Sequence, residues 1–457
     1  MFALDRSGPP LHGQLATALR EAVATGRLGA GTRLPASRDL ARELGVSRGL
    51  VVSVYDQLLA EGRLVARRGA GTYVAAATAA GAGAGGVLAG PAPVVTAPPT
   101  LLRPGLPDLG RFPRHAWRRA YERALRTATD ADLDYGDPSG PLRLRTELAG
   151  YLARLRAARV APEHLIVTSG AAQALTLLAR TAPGDRVGVE DPGSAPIRDH
   201  LLAGGLRPVP VPVDEDGIDV AALERTGVRA VITTPAHQFP TGVVLSAARR
   251  TALLDWARRV GGLVVEDDYD AEFRYDREPV GCLQGRAPDL VALVGTVSKA
   301  LAPGLRLGWL AAPPARAAAL HAAKSTADHG GPVLEQLAFA ELLASGGYDR
   351  HLRTVRRLYR TRRDAALAAL AEYLPGAAVT GVAAGMHLVV TLPSTVDGRR
   401  PDDVALAERA ADAGLGALAL SASRIAGTGP PGLVLGYAAC TPDRFRTAIR
   451  ALGGLIR

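Results

Sequence analysis

The feature that most constrains the fold is a repeated alternation of short apolar runs with helical segments in the middle of the 457-residue chain. Seven runs share strand length and apolar character: His164–Thr168, Arg186–Val189, Val209–Val213, Arg229–Thr233, Leu263–Glu266, Leu290–Val294 and Arg306–Leu310. Such a rhythm predicts an α/β fold with a mostly parallel sheet covered by helices on both faces. Ligands of these folds bind beyond the carboxyl ends of the strands, so polar residues that directly follow a strand are candidate site residues.

One of these candidates is a lysine in a chain that hardly uses lysine. Lys299 and Lys324 are its two lysines, and the other 52 of the 54 basic side chains are arginine. Arginine stays protonated in proteins, whereas a desolvated lysine can lose its proton and attack an aldehyde. Thr296 and Ser298 provide hydroxyls nearby, and Arg306 provides a fork suited to phosphate. We interpret Lys299 as a Schiff-base lysine, although a Ser-Lys pair alone is more often a chance survival.

Four acids stand in the five-residue run Glu266-Asp-Asp-Tyr-Asp270, at the end of a predicted strand. An acid there can hold the proton of a pyridinium nitrogen, and Tyr269 can hydrogen-bond to a ring oxygen. A cluster of carboxylates also suits Mg²⁺ or Ca²⁺, which is the alternative interpretation. The lysine that follows Asp267 by 32 residues favours the cofactor.

Two further strand ends carry candidate binding groups. Ser169-Gly-Ala-Ala-Gln173 begins a predicted helix, where free amides and the helix dipole suit a phosphate. A Ser-Gly turn alone is weak support, because it more often only caps the helix. The loop Thr234–Gly242 could close over a ring, and its single histidine, His237, is more often a satisfied loop residue than a catalyst.

The first 75 residues form a separate pattern of three helices. Leu11–Val23 has apolar residues at helical spacing, a second helix is predicted over Arg38–Leu44, and a third runs from Arg48 to about residue 62. Ser37 and Ser47 are placed to cap the second and third helices. Helix, glycine turn and helix predict a helix-turn-helix whose third helix enters the major groove of DNA.

Two predicted strands, Leu64–Ala66 and Thr72–Val74, flank a basic glycine-rich tip and form a wing. Together with Gly31-Thr-Arg-Leu-Pro35 and Leu44-Gly-Val-Ser-Arg48, these motifs make residues 11–74 resemble the winged helix-turn-helix of the GntR family of bacterial regulators. The resemblance implies binding to a double-stranded DNA operator. The DNA contacts that it implies are Arg33, Arg38, Ser47, Arg48, Arg68 and Gly69. The alternative is a helical protein-interaction module with solvated arginines.

Residues 75–104 consist largely of Ala, Gly and Pro, without an acidic residue or an apolar periodicity. Such a segment cannot bury enough side chain to offset its ordering entropy, which predicts a tether. We therefore expect a DNA-binding domain at 1–75, a linker at 76–105 and a cofactor-binding domain at 106–457.

We also expect a cytoplasmic protein without a membrane segment, because no apolar run is long enough, no signal peptide opens the chain and two cysteines make no disulfide framework.

In residues 106–457 several motifs occur in a characteristic order: Phe112-Pro113, Tyr135-Gly-Asp-Pro-Ser-Gly140, Thr234–Gly242, Glu266–Asp270 and Ser298-Lys299. With them the region resembles fold type I enzymes of the aspartate aminotransferase type, which bind pyridoxal phosphate (PLP) and have a smaller C-terminal α+β part. The whole chain is similar to the MocR/GabR group of regulators. The resemblance implies that Lys299 forms a Schiff base with PLP, that Asp267 pairs with the pyridine nitrogen, and that Tyr269 meets the phenolic oxygen.

The same resemblance implies the phosphate ligands and the assembly. The residues implied to hold the phosphate are Ala171, Ala172, Thr296, Ser298 and Arg306. Tyr135 is implied to reach the phosphate of a neighbouring subunit. The resemblance therefore also implies a homodimer. No metal ligand is expected.

Two positions depart from the pattern of the group. Ser194 stands in Asp191-Pro-Gly-Ser194 where the group usually has an aromatic residue that stacks on the ring. Val434 stands where related domains place an arginine that binds an amino-acid carboxylate, and the loss of such a charge-assisted contact costs a few kcal/mol. Arg424 is a candidate substitute.

Three functions remain open from the sequence. The leading hypothesis is a transcriptional regulator whose aminotransferase-like domain senses PLP itself, or an amine or amino acid that reacts with PLP. The second is a working aminotransferase with an added DNA-binding domain, against which the missing arginine counts. The third is a DNA-binding protein whose second domain only dimerises.

Overall fold

The computed structural model describes residues 4–67, 70–76, 101–275, 280–381, 383–393, 401–426 and 429–456. The chain divides into two compact units, Met1–Thr96 and Ala97–Arg457. Most of the predicted linker, residues 77–100, and the predicted DNA contacts Arg68 and Gly69 lie outside the described residues. In the described part of the chain, no helix combines the length and the apolar character that crossing a bilayer requires.

The first unit contains three helices and a two-stranded antiparallel sheet. Its elements are α1 Leu11–Ala24, α2 Ser37–Leu44, α3 Arg48–Ala60, β1 Leu64–Arg67 and β2 Gly71–Val74. The helices form because apolar residues recur on one face of each and meet in a common core, as Leu15, Val51 and Leu58 do without any exposed surface. The predicted helix-turn-helix and wing are confirmed.

The two predicted helix caps differ in outcome. The Ser47 hydroxyl accepts a hydrogen bond from the Leu50 amide at 3.2 Å and caps α3, as predicted. The cap predicted at Ser37 is wrong, because Ser37 is itself the first residue of α2 and Ala36 occupies the capping position. Gly45 ends α2 in the left-handed region, with φ at 64°, which allows the tight turn into α3.

The second unit is built on an eight-stranded sheet. Its strands are β3 Leu165–Thr168, β4 Arg186–Asp191, β5 Arg207–Asp214, β6 Gly217–Ile218, β7 Ala230–Thr233, β8 Leu263–Asp268, β9 Val291–Thr296 and β10 Gly308–Ala311. They lie in the order β3-β10-β9-β8-β7-β4-β5-β6. The five strands from β9 to β5 in this order are parallel, and β10 runs antiparallel to both β3 and β9. The predicted mostly parallel sheet is confirmed.

Helices flank this sheet and continue into a smaller C-terminal part. The helices are α4 Arg114–Thr127, α5 Asp130–Leu133, α6 Leu142–Arg156, α7 Ala171–Arg180, α8 Ala195–Ala203, α9 Val220–Arg225, α10 Ala247–Val260, α11 Pro314–Asp328, α12 Val333–Ala344, α13 Gly347–Tyr373, α14 Asp403–Asp412 and α15 Pro442–Ile456. A four-stranded antiparallel sheet consists of β11 Ala378–Thr380, β12 His387–Thr391, β13 Leu418–Ala419 and β14 Gly432–Gly436. The two cysteines are buried and free.

Parallel pairing brings the candidate residues to one edge of the large sheet. In the register, Thr233 pairs with Glu266, and Asp267 pairs with Val294. The carboxyl ends of β7, β8 and β9 therefore lie side by side, and the lysine follows β9 directly.

One predicted strand needs correction. Arg306 was expected at the start of a strand, but β10 begins only at Gly308. Arg306 instead ends a short 3-10 turn, Pro303–Leu305, and its φ of 50° is left-handed. This conformation is incompatible with a strand, and it lets the guanidinium turn towards Ser169.

Candidate functional site

Lys299 lies just after β9 and is partly buried. Its ammonium donates a hydrogen bond to the carbonyl of Gly105 at 2.8 Å. A Cβ at Gly105 would lie 2.9 Å from that nitrogen, so the close approach depends on glycine. Burial lowers the pKa of Lys299, and the charges of Asp270 and Asp267 oppose this shift. The site thus favours a neutral amine more than water does, as a nucleophilic lysine requires.

Asp267 is buried beside this lysine with an unsatisfied atom. Its Oδ1 has no hydrogen-bond partner among the described residues. Burial, followed by the charge of Asp268, raises the pKa of Asp267 to about 7, and Lys299 opposes the shift. A buried acceptor without a partner costs free energy unless a ligand provides a donor. The N–H of a pyridinium ring is such a donor, so the residues present fit PLP.

The other acids of the run point to separate partners. Glu266 accepts hydrogen bonds from the amides of Leu283 and Gln284, each at 3.0 Å. Asp268 forms a two-point ion pair with Arg156, at 2.7 and 2.9 Å. Because successive strand residues face opposite sides, Asp267 points away from the side that Glu266 and Asp268 share, so the acids of the run do not converge on one ion.

Asp270 belongs to a buried group around Tyr269. Its Oδ2 lies 2.9 Å from Nδ1 of His237, and the Tyr269 hydroxyl lies 3.1 Å from the same nitrogen. His387 of β12 completes the group, with its ring centroid 5.2 Å from that of His237. In the described part of the chain, only His237, Asp270 and His387 are compact enough to share a metal ion, and Asp270 alone comes from the acidic run. The sequence had no signal that would join His387 to this group.

Two sets of contacts involve the predicted phosphate ligands. The Arg306 guanidinium donates to the carbonyl of Ser169, at the turn that leads into α7. Thr296 Oγ1 donates to the carbonyl of Leu307 at 3.1 Å and lies 2.9 Å from Ser298 Oγ. Ala171 and Ala172 begin α7, so their amides have no partner within the helix.

The candidate phosphate cradle consists of the turn before α7, Arg306 and the hydroxyls of Thr296 and Ser298. Glycine allows its parts to approach closely. Gly170 has a φ of 85°, and a Cβ there would lie 2.9 Å from a guanidinium nitrogen of Arg306. The turn, the arginine and the two hydroxyls can therefore surround an anion that is small enough to reach backbone amides.

Val434 lies on β14 and has no exposed surface. It packs in an apolar cluster with Val389, Leu420 and Phe239. The guanidinium of Arg424, the candidate substitute, donates to the carbonyl of Pro430 at 3.0 Å. The position where the resemblance implies a carboxylate-binding arginine is thus part of an apolar core.

Tyr135 does not contact the candidate phosphate ligands of its own chain. Its side chain is 83% exposed, and its ring lies 6.3 Å from that of His329. It lines an open cavity of about 670 Å³, together with the turn at residues 328–331.

The candidate nucleic-acid interface lies in the first unit. Arg33, Arg38 and Arg48 are exposed, and none of them forms an ion pair with a carboxylate of the described chain. Arg20 contrasts with them, because it is paired with Glu61 at 2.5 Å. Unpaired arginines near the start of a helix can meet phosphate oxygens or guanine edges.

A lysine and a buried acid in an aminotransferase-type fold, joined to a winged helix-turn-helix, define the class: a DNA-binding protein with an aminotransferase-like cofactor domain. Comparisons with known proteins agree. Residues 105–452 match the family model of aminotransferase class I and II, and residues 11–74 match that of bacterial regulatory proteins, gntR family.

Two relatives match this chain over almost its whole length. The pyridoxine biosynthesis transcriptional regulator PdxR of Corynebacterium glutamicum is 36% identical over 97% of this chain and 95% of its own length. The probable rhizopine catabolism regulatory protein MocR of Rhizobium meliloti is 34% identical over 99% and 95%. A kynurenine aminotransferase structure from Pyrococcus horikoshii superimposes with a TM-score of 0.71 at 29% identity, covering 79% of this chain and 91% of the other.

The chain belongs to the MocR-type transcriptional regulators, in which a GntR-type winged helix-turn-helix precedes an aminotransferase-like domain. Its cofactor is PLP.

Proposed function

We propose that this regulator responds to PLP itself, which it holds through Lys299, and that the bound state changes its affinity for operator DNA. When bound, the cofactor supplies an aldehyde that condenses with an amine. The observation that carries the proposal is the pair formed by the partly buried Lys299, whose pKa is lowered, and the buried oxygen of Asp267 that has no partner among the described residues. In this assignment Lys299 is the covalent ligand, Asp267 accepts the ring N–H, and Tyr269 orients the phenolic oxygen.

The phosphate is assigned to the cradle at the start of α7. The amides of Ala171 and Ala172, the hydroxyls of Thr296 and Ser298, and the guanidinium of Arg306 would share it. The contact of Thr296 with Ser298, and that of Arg306 with the carbonyl of Ser169 in the turn before α7, support this assignment. The helix N-terminus adds a favourable dipole for an anion.

The apolar surroundings of Val434 favour PLP over an amino acid as the effector. An amino acid would bring a carboxylate into a site where strand β14 offers no cation. Leaving that carboxylate without a charge-assisted partner would cost a few kcal/mol of binding free energy. The similarity to a regulator named for pyridoxine biosynthesis supports the same choice.

We assign operator contacts to Arg33, Arg38, Ser47 and Arg48, and to Arg68 and Gly69 beyond the described residues. Exposure and the absence of carboxylate partners support the three arginines of the described part. A protein that acts on an operator works where the DNA lies, so we assign it to the cytoplasm.

A homodimer is part of the proposal. Tyr135, Leu133 and Leu142 are all more than half exposed around the 670 Å³ cavity, which is unusual for such large apolar side chains. A partner subunit would cover them, and Tyr135 would then reach the partner's cofactor phosphate. Sedimentation of the purified protein tests the dimer, and a monomer at micromolar concentration would contradict it.

The effector is tested by titrating operator affinity with PLP, with and without a panel of amino acids and amines. We expect PLP alone to change the affinity, and amines to add little. If PLP alone has no effect while an amine shifts the affinity, the effector is the amine.

The second candidate function is a working aminotransferase, which the intact pair of Lys299 and Asp267 would permit. Measurable conversion of an amino acid and a keto acid over many turnovers would support it. We expect no sustained turnover, because nothing on β14 holds the substrate carboxylate.

A further inference from the structure

A buried polar network behind the phosphate cradle contains the second lysine of the chain. Lys324 lies in α11 with a fully buried side chain, and its ammonium is 2.7 Å from both carboxylate oxygens of Asp328. The same ammonium donates to Oε1 of Gln173 at 3.2 Å. The Gln173 side-chain amide donates in turn to Asp328 at 2.7 Å. Three side chains from two helices thus satisfy one another.

Gln173 extends the network to the turn before α7. Its Oε1 also accepts the amide N–H of Ser169 at 2.9 Å. The carbonyl of Ser169 accepts the Arg306 guanidinium. Ser169 is therefore held at both its amide and its carbonyl, which fixes the direction of the amides that follow at Gly170 and Ala171.

The geometry also explains why this position keeps a lysine in a chain so rich in arginine. An ammonium has three N–H donors, and Lys324 has three acceptor atoms within reach: two on Asp328 and one on Gln173. An arginine would bring five donors in a planar fork. In a fully buried position, the surplus donors would stay without partners and cost free energy.

We propose that Lys324 is a positioning residue for the cofactor phosphate. Through Gln173 it holds Ser169, and so it aims the amides at the start of α7. The inference rests on the proposed assignment of the phosphate to this cradle. Lys324 itself makes no contact with the cofactor in this account, so its effect is specific to the phosphate and does not extend to the ring.

The test compares PLP with pyridoxal, which has the same aldehyde and ring but no phosphate. Dissociation constants of both are measured by absorbance for the full-length wild type and the variant Lys324→Met. We expect PLP to bind about tenfold more weakly to the variant, equivalent to about 1.4 kcal/mol, and pyridoxal to be affected less than about twofold. The matched control is Thr326→Ala, an exposed position of the same helix, which should change neither.

Equal losses for PLP and pyridoxal, or no loss for either, would overturn the proposal. If Lys324→Met does not fold, Gln173→Leu decides, because it keeps the Lys324–Asp328 pair and removes the link to Ser169. That variant must show the same phosphate-selective loss, and Lys324→Arg must fail to restore wild-type affinity. A wild type that binds pyridoxal as tightly as PLP would reject the phosphate assignment itself, which separates that failure from this one.

Discussion

The two units carry their candidate functional residues in opposite ways. In the first unit Arg33, Arg38 and Arg48 lie within sixteen residues of one another, exposed and without carboxylate partners in the described chain. In the second unit Lys299 and Asp267 are withdrawn from solvent, and the contact between Lys299 and Gly105 joins positions 194 residues apart. One site is local and ready for a charged partner, whereas the other exists only after the whole sheet has formed.

This difference shows that the first site depends on exposed charge and the second on the burial of ionisable groups. The charge of an exposed arginine costs little free energy, and the release of counterions from DNA favours its binding to phosphate. Burial disfavours the charged form of an acid or an amine. The pKa of Asp267 is therefore raised and that of Lys299 is lowered. Substitutions in the first unit should therefore leave PLP binding unchanged, and substitutions in the second unit should leave operator affinity without PLP unchanged.

The largest expected effect separates the two units most sharply. Lys299→Ala should abolish the absorbance band of the protein-bound Schiff base, because no other described amine lies beside Asp267. Operator affinity without PLP should stay within about twofold of wild type, since the first unit is unchanged. Absorbance spectra and gel shifts measure the two properties, and a band that persists in the variant would contradict the assignment.

A substitution in the first unit should affect operator binding and leave PLP binding unchanged. Arg48→Ala should weaken operator binding by about tenfold and reduce the slope of log affinity against log salt by about one, because one phosphate contact is lost. PLP affinity should not change. The matched control is Arg27→Ala, an exposed arginine of the same unit outside the predicted DNA contacts, and an equal loss in both variants would reject the assigned interface.

A smaller effect tests the cost of burial in the second unit. The pKa of Asp267 is raised from 3.8 to about 7 in the folded chain, so its ionised form is disfavoured there. This penalty is absent below about pH 4, grows between pH 4 and 7, and is complete above pH 7. Asp267→Asn should therefore raise the melting temperature of the PLP-free protein at pH 8 and lose this advantage towards pH 4.

The control for that experiment is Asp255→Asn, at an exposed carboxylate on α10. It should show no gain that depends on pH in this way. A gain for Asp267→Asn that is constant from pH 4 to pH 8 would contradict the proposed cause. The same variant should also bind PLP more weakly, since a neutral amide lacks the charge that stabilises the protonated ring nitrogen.

The smallest effect compares two serines of the first unit. Ser47→Ala should destabilise that unit by about 1 kcal/mol, because α3 loses the cap that its hydroxyl provides to Leu50. Ser37→Ala should cost much less, since the Ser37 side chain caps nothing. Thermal unfolding of the two variants measures the difference, and equal losses would show that the cap is not what stabilises α3.

The contrast between the units also explains what the sequence could predict. The helices of the first unit, its wing and the Ser47 cap follow from signals within a few residues, and the structure confirms them. The Ser37 cap failed because one residue decides between a capping and a helical position. Local signals cannot choose between these by themselves.

In the second unit the position of the site at the strand ends was predictable and its contacts were not. Lys299 and Asp267 were found because strand ends collect ligand-binding residues and because lysine is rare in this chain. The contact with Gly105 and the link from Lys324 through Gln173 to Ser169 join distant segments. No spacing in the sequence encodes such contacts, because packing of the finished fold creates them.

The most direct test of the central claim is to treat the PLP-loaded protein with borohydride and locate the modified residue by peptide mass spectrometry. The chain has two lysines, so the result is unambiguous. We predict that the pyridoxyl group is attached to Lys299, with Lys324 unmodified in its buried ion pair. Attachment to Lys324, or no attachment to Lys299, would contradict the account.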